Sequence, residues 1–417
     1  MKSTTPAQEI AEEPPSITVA AANAEDDEPP GKSATAKSRF FASVNPVDWN
    51  DWRWQFKNRV TTIEELSKYL PLSSKQQAKL RLVSLKYPLA ISPYYLSLID
   101  PSNTLDPIRL QAVPMTEELT RADQGMEDPL AEHEHSVVPG LVHRYPDRVL
   151  MVLTNLCPML CRHCTRKREW RSGVWVHTGA EIQAMVDYIR CHSEVRDVII
   201  SGGDPMTLAT SRLEAVLASL REIKHVEIIR IGTRCPVVLP QRIDDELCGM
   251  LSKYGPIWLN THFNHPREIT AEAMQACDKL LRAGVPVNNQ SVLLKDVNDS
   301  VDVQRALAQG LLRAKVRPYY LFQCDDVQGT EHFWTPVEKG IEIIEGLRGF
   351  TSGLAVPTYV IDLPHGGGKI PVGPRYIMAR EGDGFMVRNY QGHVSHYRNP
   401  GASPEPSELM HEDRVPA

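Results

Sequence analysis

No stretch of this chain approaches the roughly 18 consecutive apolar residues that a bilayer-spanning helix needs, and its first residues, Met1-Lys-Ser-Thr-Thr-Pro6, contain no continuous apolar segment of the kind a secretory leader carries. The expectation is a cytoplasmic protein, in a compartment where thiols stay reduced. A basic stripe is missing too. The formal charge is -6 and the pI is near 6.2, which argues against nucleic acid as a partner. Large apolar residues are nearly absent from residues 1–38, where Pro, Ala, Glu, Ser and Thr dominate. Such a segment cannot bury enough surface to offset ordering and reads as a disordered tail, and its many acids argue against an amphipathic transit peptide. What is present is a 417-residue chain with 42% hydrophobic content, enough for a substantial core.

Periodicity divides the remainder. From 46 to 114 apolar residues recur mostly at three- and four-residue steps, as in Ile63 to Leu70 and Ser73 to Ser84, with Thr62 and Ser73 placed as N-caps. This predicts an N-terminal helical wrapping domain over 39–139. Its last part, Glu127-Asp-Pro-Leu-Ala-Glu-His-Glu-His135, reads as a solvated acidic loop rather than a metal site. Beyond Val149, short β-rich runs at 149–154, 197–203, 227–232, 257–262, 286–293 and 318–324 alternate with helix-length patterns. Six βα repeats predict an α/β fold, a partial (βα)6-type parallel barrel over 140–335 with chemistry at the carboxyl ends of its strands. A further strand at 357–362, a glycine-rich turn and a closing hairpin at 385–397 form a small C-terminal β extension over 336–398, followed by a flexible tail at 399–417.

The residues that carry chemistry fall at those strand ends. Cys157, Cys161 and Cys164 form a CxxxCxxC run after the first strand. Three thiolates this close can ligate three irons of a cubane and leave the fourth open for a reactant, whereas a structural metal site wants a fourth protein ligand; His163 would be that ligand in a zinc knuckle. The other five cysteines, Cys191, Cys235, Cys248, Cys277 and Cys324, read as small buried hydrophobes. Gly202, Gly203 and Asp204 close the second strand, where glycines let the backbone approach a ligand. His262 and Gln290 lie at the ends of later strands, each readable as a ligand contact or as a satisfied polar group. Lys369 follows three glycines and is placed to form a Schiff base. Arg144 and Arg148 offer planar guanidinia suited to phosphate. Asp325 and Asp362, with Asp326 beside the first, make an acidic pair that suits a cation.

These motifs, together with Trp49-Asn-Asp-Trp-Arg-Trp54, Pro93-Tyr-Tyr-Leu-Ser-Leu-Ile-Asp-Pro101, Thr261-His-Phe-Asn-His-Pro266 and Gly340-Ile-Glu-Ile-Ile-Glu-Gly-Leu-Arg348, resemble lysine 2,3-aminomutase, a branch of the radical S-adenosylmethionine enzymes. The resemblance runs in order from about Val44 to about Tyr397. It implies a [4Fe-4S] cluster on the three cysteines and S-adenosylmethionine contacted by Gly202, Gly203, Asp204, His262 and Gln290. It also implies pyridoxal 5'-phosphate on Lys369, its phosphate held by Arg144 and Arg148 with Tyr145 near the ring. Arg166 would take the substrate carboxylate, and Asp325 and Asp362 the side-chain ammonium of L-lysine, whose amino group migrates to C3 after a 5'-deoxyadenosyl radical removes a hydrogen. An external electron donor of flavodoxin or ferredoxin type is implied, and a homo-oligomer is left open. The chain departs from the family pattern at His365, where a fourth glycine is expected, and at Phe322, where a tyrosine is expected. No cysteine follows Cys324, so the family's structural zinc site is expected to be absent. The competing readings are an arginine 2,3-aminomutase, an enzyme acting on a protein lysine, and a non-catalytic cluster-binding regulator.

Overall fold

Period-two burial sets the architecture. In β3 (Arg148–Val152), β4 (Asp197–Ser201) and β5 (Ile228–Gly232) every second residue is buried, so Val149, Met151, Val198, Ile200, Ile229 and Ile231 join the main core while Leu150, Ile199, Ser201, Arg230 and Gly232 line a cavity. The strands β3 to β8 run on through β6 (Ile257–Thr261), β7 (Val287–Leu293) and β8 (Arg317–Gln323), paired in parallel and in chain order. They correspond to the six expected strands. The strand expected at 357–362 is β9 (Thr358–Leu363), which adds to β8 as a further parallel strand.

The computed structural model describes residues 40–120 and 124–401. The tail expected at 1–38 and all of the 399–417 tail beyond Gly401 lie outside the described residues. Among the described residues no helix is long and apolar enough to cross a membrane.

Helices at Gly179–Cys191, Thr210–Arg221, Ala271–Arg282, Val301–Arg313 and Val337–Leu347 separate the parallel strands. Their starts follow from sequence: Thr178 with Glu181 closes a capping box, and Thr270 and Ser300 cap through their hydroxyls. Ahead of the barrel strands the chain is helical, with Thr62 and Ser73 forming capping boxes as expected. This helical segment shares one core with the barrel layer: Trp49, Tyr94 and Tyr95 pack in the same cluster as Val238 and Leu239.

Three features differ from the sequence reading. An antiparallel hairpin, β1 (Ser136–Val138) with β2 (Leu141–Tyr145), precedes and pairs with β3, so Arg144 lies within a strand and Arg148 opens the next one. Lys369 sits on β10 (Gly368–Pro371), an antiparallel partner of β9, because the turn at 364–367 folds the chain straight back. The closing hairpin is a three-stranded antiparallel sheet of β11 (Ile377–Glu381), β12 (Gly384–Arg388) and β13 (Val394–Arg398).

Candidate active site

One cavity of about 800 Å³ opens at the carboxyl ends of the parallel strands, and every expected site residue except Gly202 lines it. At one end are the three cysteines. Arg166 donates its backbone N–H to Cys164 Sγ at 3.4 Å, and Arg234 Nη1 donates to Cys161 Sγ at 2.9 Å. Burial first, then neighbouring Asp204 and the other cysteines, pushes the Cys157 thiol well up; burial and Cys161 raise Cys164 to about 11. Bare thiolates at Cys157 and Cys164 are disfavoured, so the donor set suits a cation that compensates their charge. Among the described residues no three His, Cys, Asp or Glu side chains converge on a single-ion site. A cubane does not ask for that, since it takes one thiolate per iron. His163 faces elsewhere: its Nε2 lies 3.2 Å from His262 Nε2 and 3.3 Å from Asn264 Nδ2.

The two glycines after β4 are required by close approach. A Cβ on Gly203 would meet the Leu156 carbonyl oxygen at 2.3 Å, and one on Gly202, at φ +151°, would meet the Thr154 oxygen at 2.4 Å. Gly203 and Asp204 reach the cavity, while Gly202 lies behind, its carbonyl accepting from Arg166 Nη1 at 3.2 Å. Asp204 is buried and accepts from Thr233 Oγ1, the Arg234 amide and the Met206 amide. It braces the loop that carries Arg234. His262 and Gln290 both border the cavity, and burial followed by Arg234 drives the His262 imidazole well down, so it is neutral.

The other end is built on β2, β3, β8, β9 and β10. Lys369 Nζ donates to both Asp362 oxygens at 2.7 and 2.6 Å and lies 4.4 Å from the centre of the Phe322 ring. Arg144 and Arg148 stack on the Tyr145 ring at 4.9 and 4.8 Å, and Arg144 Nη2 reaches Asp362 at 3.8 Å. An amine, an aromatic shelf and two cavity-lining guanidinia form a set that fits a phosphorylated aldehyde cofactor. Burial and then Asp362 raise Asp325 to about 7. Asp326 is exposed. His365 adopts φ +55°, a left-handed conformation that glycine takes freely.

Two readings are corrected. The acidic segment at 127–135 is only partly a solvated loop: Glu127, His133 and Glu134 are exposed, but Glu132 is buried and grips Arg166 through contacts of 2.6 to 3.1 Å, and also binds Arg168 at 2.7 Å, while Asp128 pairs with Arg168 at 3.3 Å. Burial opposes ionisation of Glu132, but Arg166 and Arg168 outweigh it and hold the carboxyl at about 2. Arg166 therefore already carries a carboxylate. Cys191, expected to be buried, is exposed at the last turn of its helix, while the other four non-motif cysteines are buried. A buried charge cluster also went unread: Glu118 accepts from Arg162 at 2.5 Å and from Lys167 at 2.8 Å, all three almost fully enclosed. Burial lowers Lys167 to about 8 despite Glu118. The signal available was three charged residues amid the cysteine motif and a helix start, but nothing in sequence said that they meet.

This fold and constellation define a radical S-adenosylmethionine enzyme. A family model for the radical SAM superfamily matches residues 151–305, and one for lysine-2,3-aminomutase matches 344–413. The chain is 54% identical over 361 residues to the L-lysine 2,3-aminomutase of Clostridium subterminale, covering 87% of each chain. It is 52% identical to that of Acetoanaerobium sticklandii, covering 87% of this chain and 88% of the relative. It is also 47% identical to the glutamate 2,3-aminomutase of Clostridioides difficile, over 86% and 85% of the two chains. The chain belongs to the lysine 2,3-aminomutase family.

Proposed function

We propose that the protein moves the 2-amino group of L-lysine to C3, giving L-β-lysine. Family membership leaves the substrate between a cationic and an anionic side chain, since relatives named for lysine and for glutamate both match closely. The observation that carries the choice is the acidic pair Asp325 and Asp362 in the same cavity as Lys369 and the cysteine loop. Two carboxylates repel the side chain of glutamate and attract an ammonium.

When bound, the [4Fe-4S] cluster with S-adenosylmethionine supplies a carbon radical, and pyridoxal phosphate supplies a carrier for the migrating nitrogen. The chain's own residues bind, orient and exclude water. Cys157, Cys161 and Cys164 would hold the cluster, with Gly203, Asp204, His262 and Gln290 around S-adenosylmethionine and Gly202 behind them. Lys369 would hold pyridoxal phosphate, with Arg144 and Arg148 on its phosphate and Tyr145 near the ring. Asp362 already receives an ammonium, that of Lys369. Asp362, beside Asp325 in the cavity, would also face the substrate's distal cation. Arg166, at the other side, receives the substrate carboxylate in competition with Glu132. The cavity walls hold the reacting carbons in contact and keep water out.

The reading also includes an external one-electron donor of flavodoxin or ferredoxin type, a cytoplasmic location and a helical unit ahead of residue 140. Its test is anaerobic turnover of L-lysine, L-arginine and L-glutamate by reconstituted protein: lysine converted fastest supports it, and glutamate or arginine converted fastest refutes the choice of substrate.

A further inference from the structure

Arg234 lies just after β5 and is buried, at 8% exposure. Each of its nitrogens is engaged. The backbone N–H donates to Asp204 Oδ2 at 2.8 Å, Nε to the His262 carbonyl at 2.9 Å, and Nη2 to Gln111 Oε1 at 2.5 Å and Glu268 Oε1 at 2.8 Å. That leaves Nη1, which donates to Cys161 Sγ at 2.9 Å. A planar guanidinium fixed at this many points cannot turn away from the sulfur. Glu268, fully buried, is in turn held by Tyr95 Oη at 2.6 Å and by the Asn264 and His265 amides. The assembly joins a helix of the N-terminal segment to two barrel loops, which is more than the local turn needs.

We propose that Arg234 is a positioning residue whose charge-assisted hydrogen bond to Cys161 raises the reduction potential of the iron-sulfur cluster, and that Glu268 limits this effect. The inference rests on the reading that the three cysteines hold that cluster. One electron from an external reductant adds negative charge to the cluster and its sulfurs. A fixed N–H···S bond from a cation stabilises the reduced form more than the oxidised one. A buried carboxylate on the same guanidinium works in the opposite sense.

The test is a potentiometric titration of full-length, anaerobically reconstituted protein, reading the electron paramagnetic resonance signal of the reduced cluster with dithionite as electron source. R234Q should make reduction at least tenfold less favourable, a fall of 59 mV for one electron. E268Q should shift the midpoint upward, and R234K should fall between R234Q and the unaltered protein. If R234Q loses iron because Glu268 is left uncompensated, R234Q/E268Q strands no buried charge and should titrate below E268Q. An unchanged midpoint with a normal spectrum overturns the proposal. So does an unchanged midpoint with S-adenosylmethionine affinity weakened tenfold, which would make Arg234 a ligand contact. A Cys161→Ala protein that keeps its full iron complement would instead refute the cluster assignment itself.

Discussion

Lys369 and Asp362 are direct partners across the antiparallel pair β9 and β10, and their side chains meet at 2.6 and 2.7 Å inside the cavity. Strand register, not a mobile glycine loop, places this amine. The pairing gives Asp362 two roles: it orients the Lys369 amine and, with Asp325, would face the substrate's distal cation.

Borohydride reduction of protein loaded with pyridoxal phosphate should fix the cofactor on the peptide containing Lys369 and bleach the visible absorption. Recovery of the label on Lys295 or Lys315 would show that the β9–β10 register argument chose the wrong amine.

Asp325→Asn should weaken kcat/KM for lysine by about 2 to 5 kcal/mol, the range for removing one partner of a buried pair. Asp362→Asn should cost at least as much, because it also frees Lys369. Lysine kinetics unchanged in both variants would refute the site.

The pH dependence follows from Asp325, which burial and Asp362 raise from 3.8 to about 7. A carboxyl raised in the folded state is protonated below that pH and offers no charge to an ammonium. Its ionisation above the ordinary value costs the ligand-free fold stability, a cost that grows as pH rises toward about 7. A bound ammonium pulls the carboxyl back down. So kcat/KM for lysine should rise between about pH 6 and 8, and Asp325→Asn should lose that rise. A wild-type profile that falls over this interval would contradict the assignment.

Glu118→Gln should destabilise the fold by about 3 to 5 kcal/mol, since Arg162 and Lys167 would be left as buried cations. Arg162 lies within the cysteine run and Lys167 just after it, so iron retention should fall with it. Denaturant unfolding reads the first effect and iron analysis the second; a variant within about 0.5 kcal/mol of the parent, the range of ordinary surface changes, would show that the cluster does not hold this loop.

The parallel strands were legible because each carries a short β-rich run between turn signals, and helix starts were legible from Thr62 and Ser73 as caps. The cysteines and the acids were legible because they fall at strand ends, and Lys369 because three glycines precede it. Glu132 and Arg234 were not. Glu132 sits in a segment whose composition is that of a surface loop, and it is buried only because Arg166 and Arg168 lie opposite. Arg234 stands in an unremarkable Thr-Arg-Cys-Pro turn, and its contacts lie 73 residues away at Cys161, 123 away at Gln111 and 34 away at Glu268. Long-range charge pairing has no local periodicity to reveal it. The β1–β2 hairpin was missed for a simpler reason: β1 has only 3 residues, and β2, Leu-Val-His-Arg-Tyr, carries a histidine and an arginine in place of an apolar run.

The most direct measurement is anaerobic turnover by protein reconstituted with iron, sulfide, S-adenosylmethionine and pyridoxal phosphate, following the position of the amino group on L-lysine, L-arginine and L-glutamate in parallel. The account predicts L-β-lysine from lysine at a kcat/KM above that for arginine and far above that for glutamate. Glutamate turned over as well as lysine, or no migration on any of the three, would contradict it.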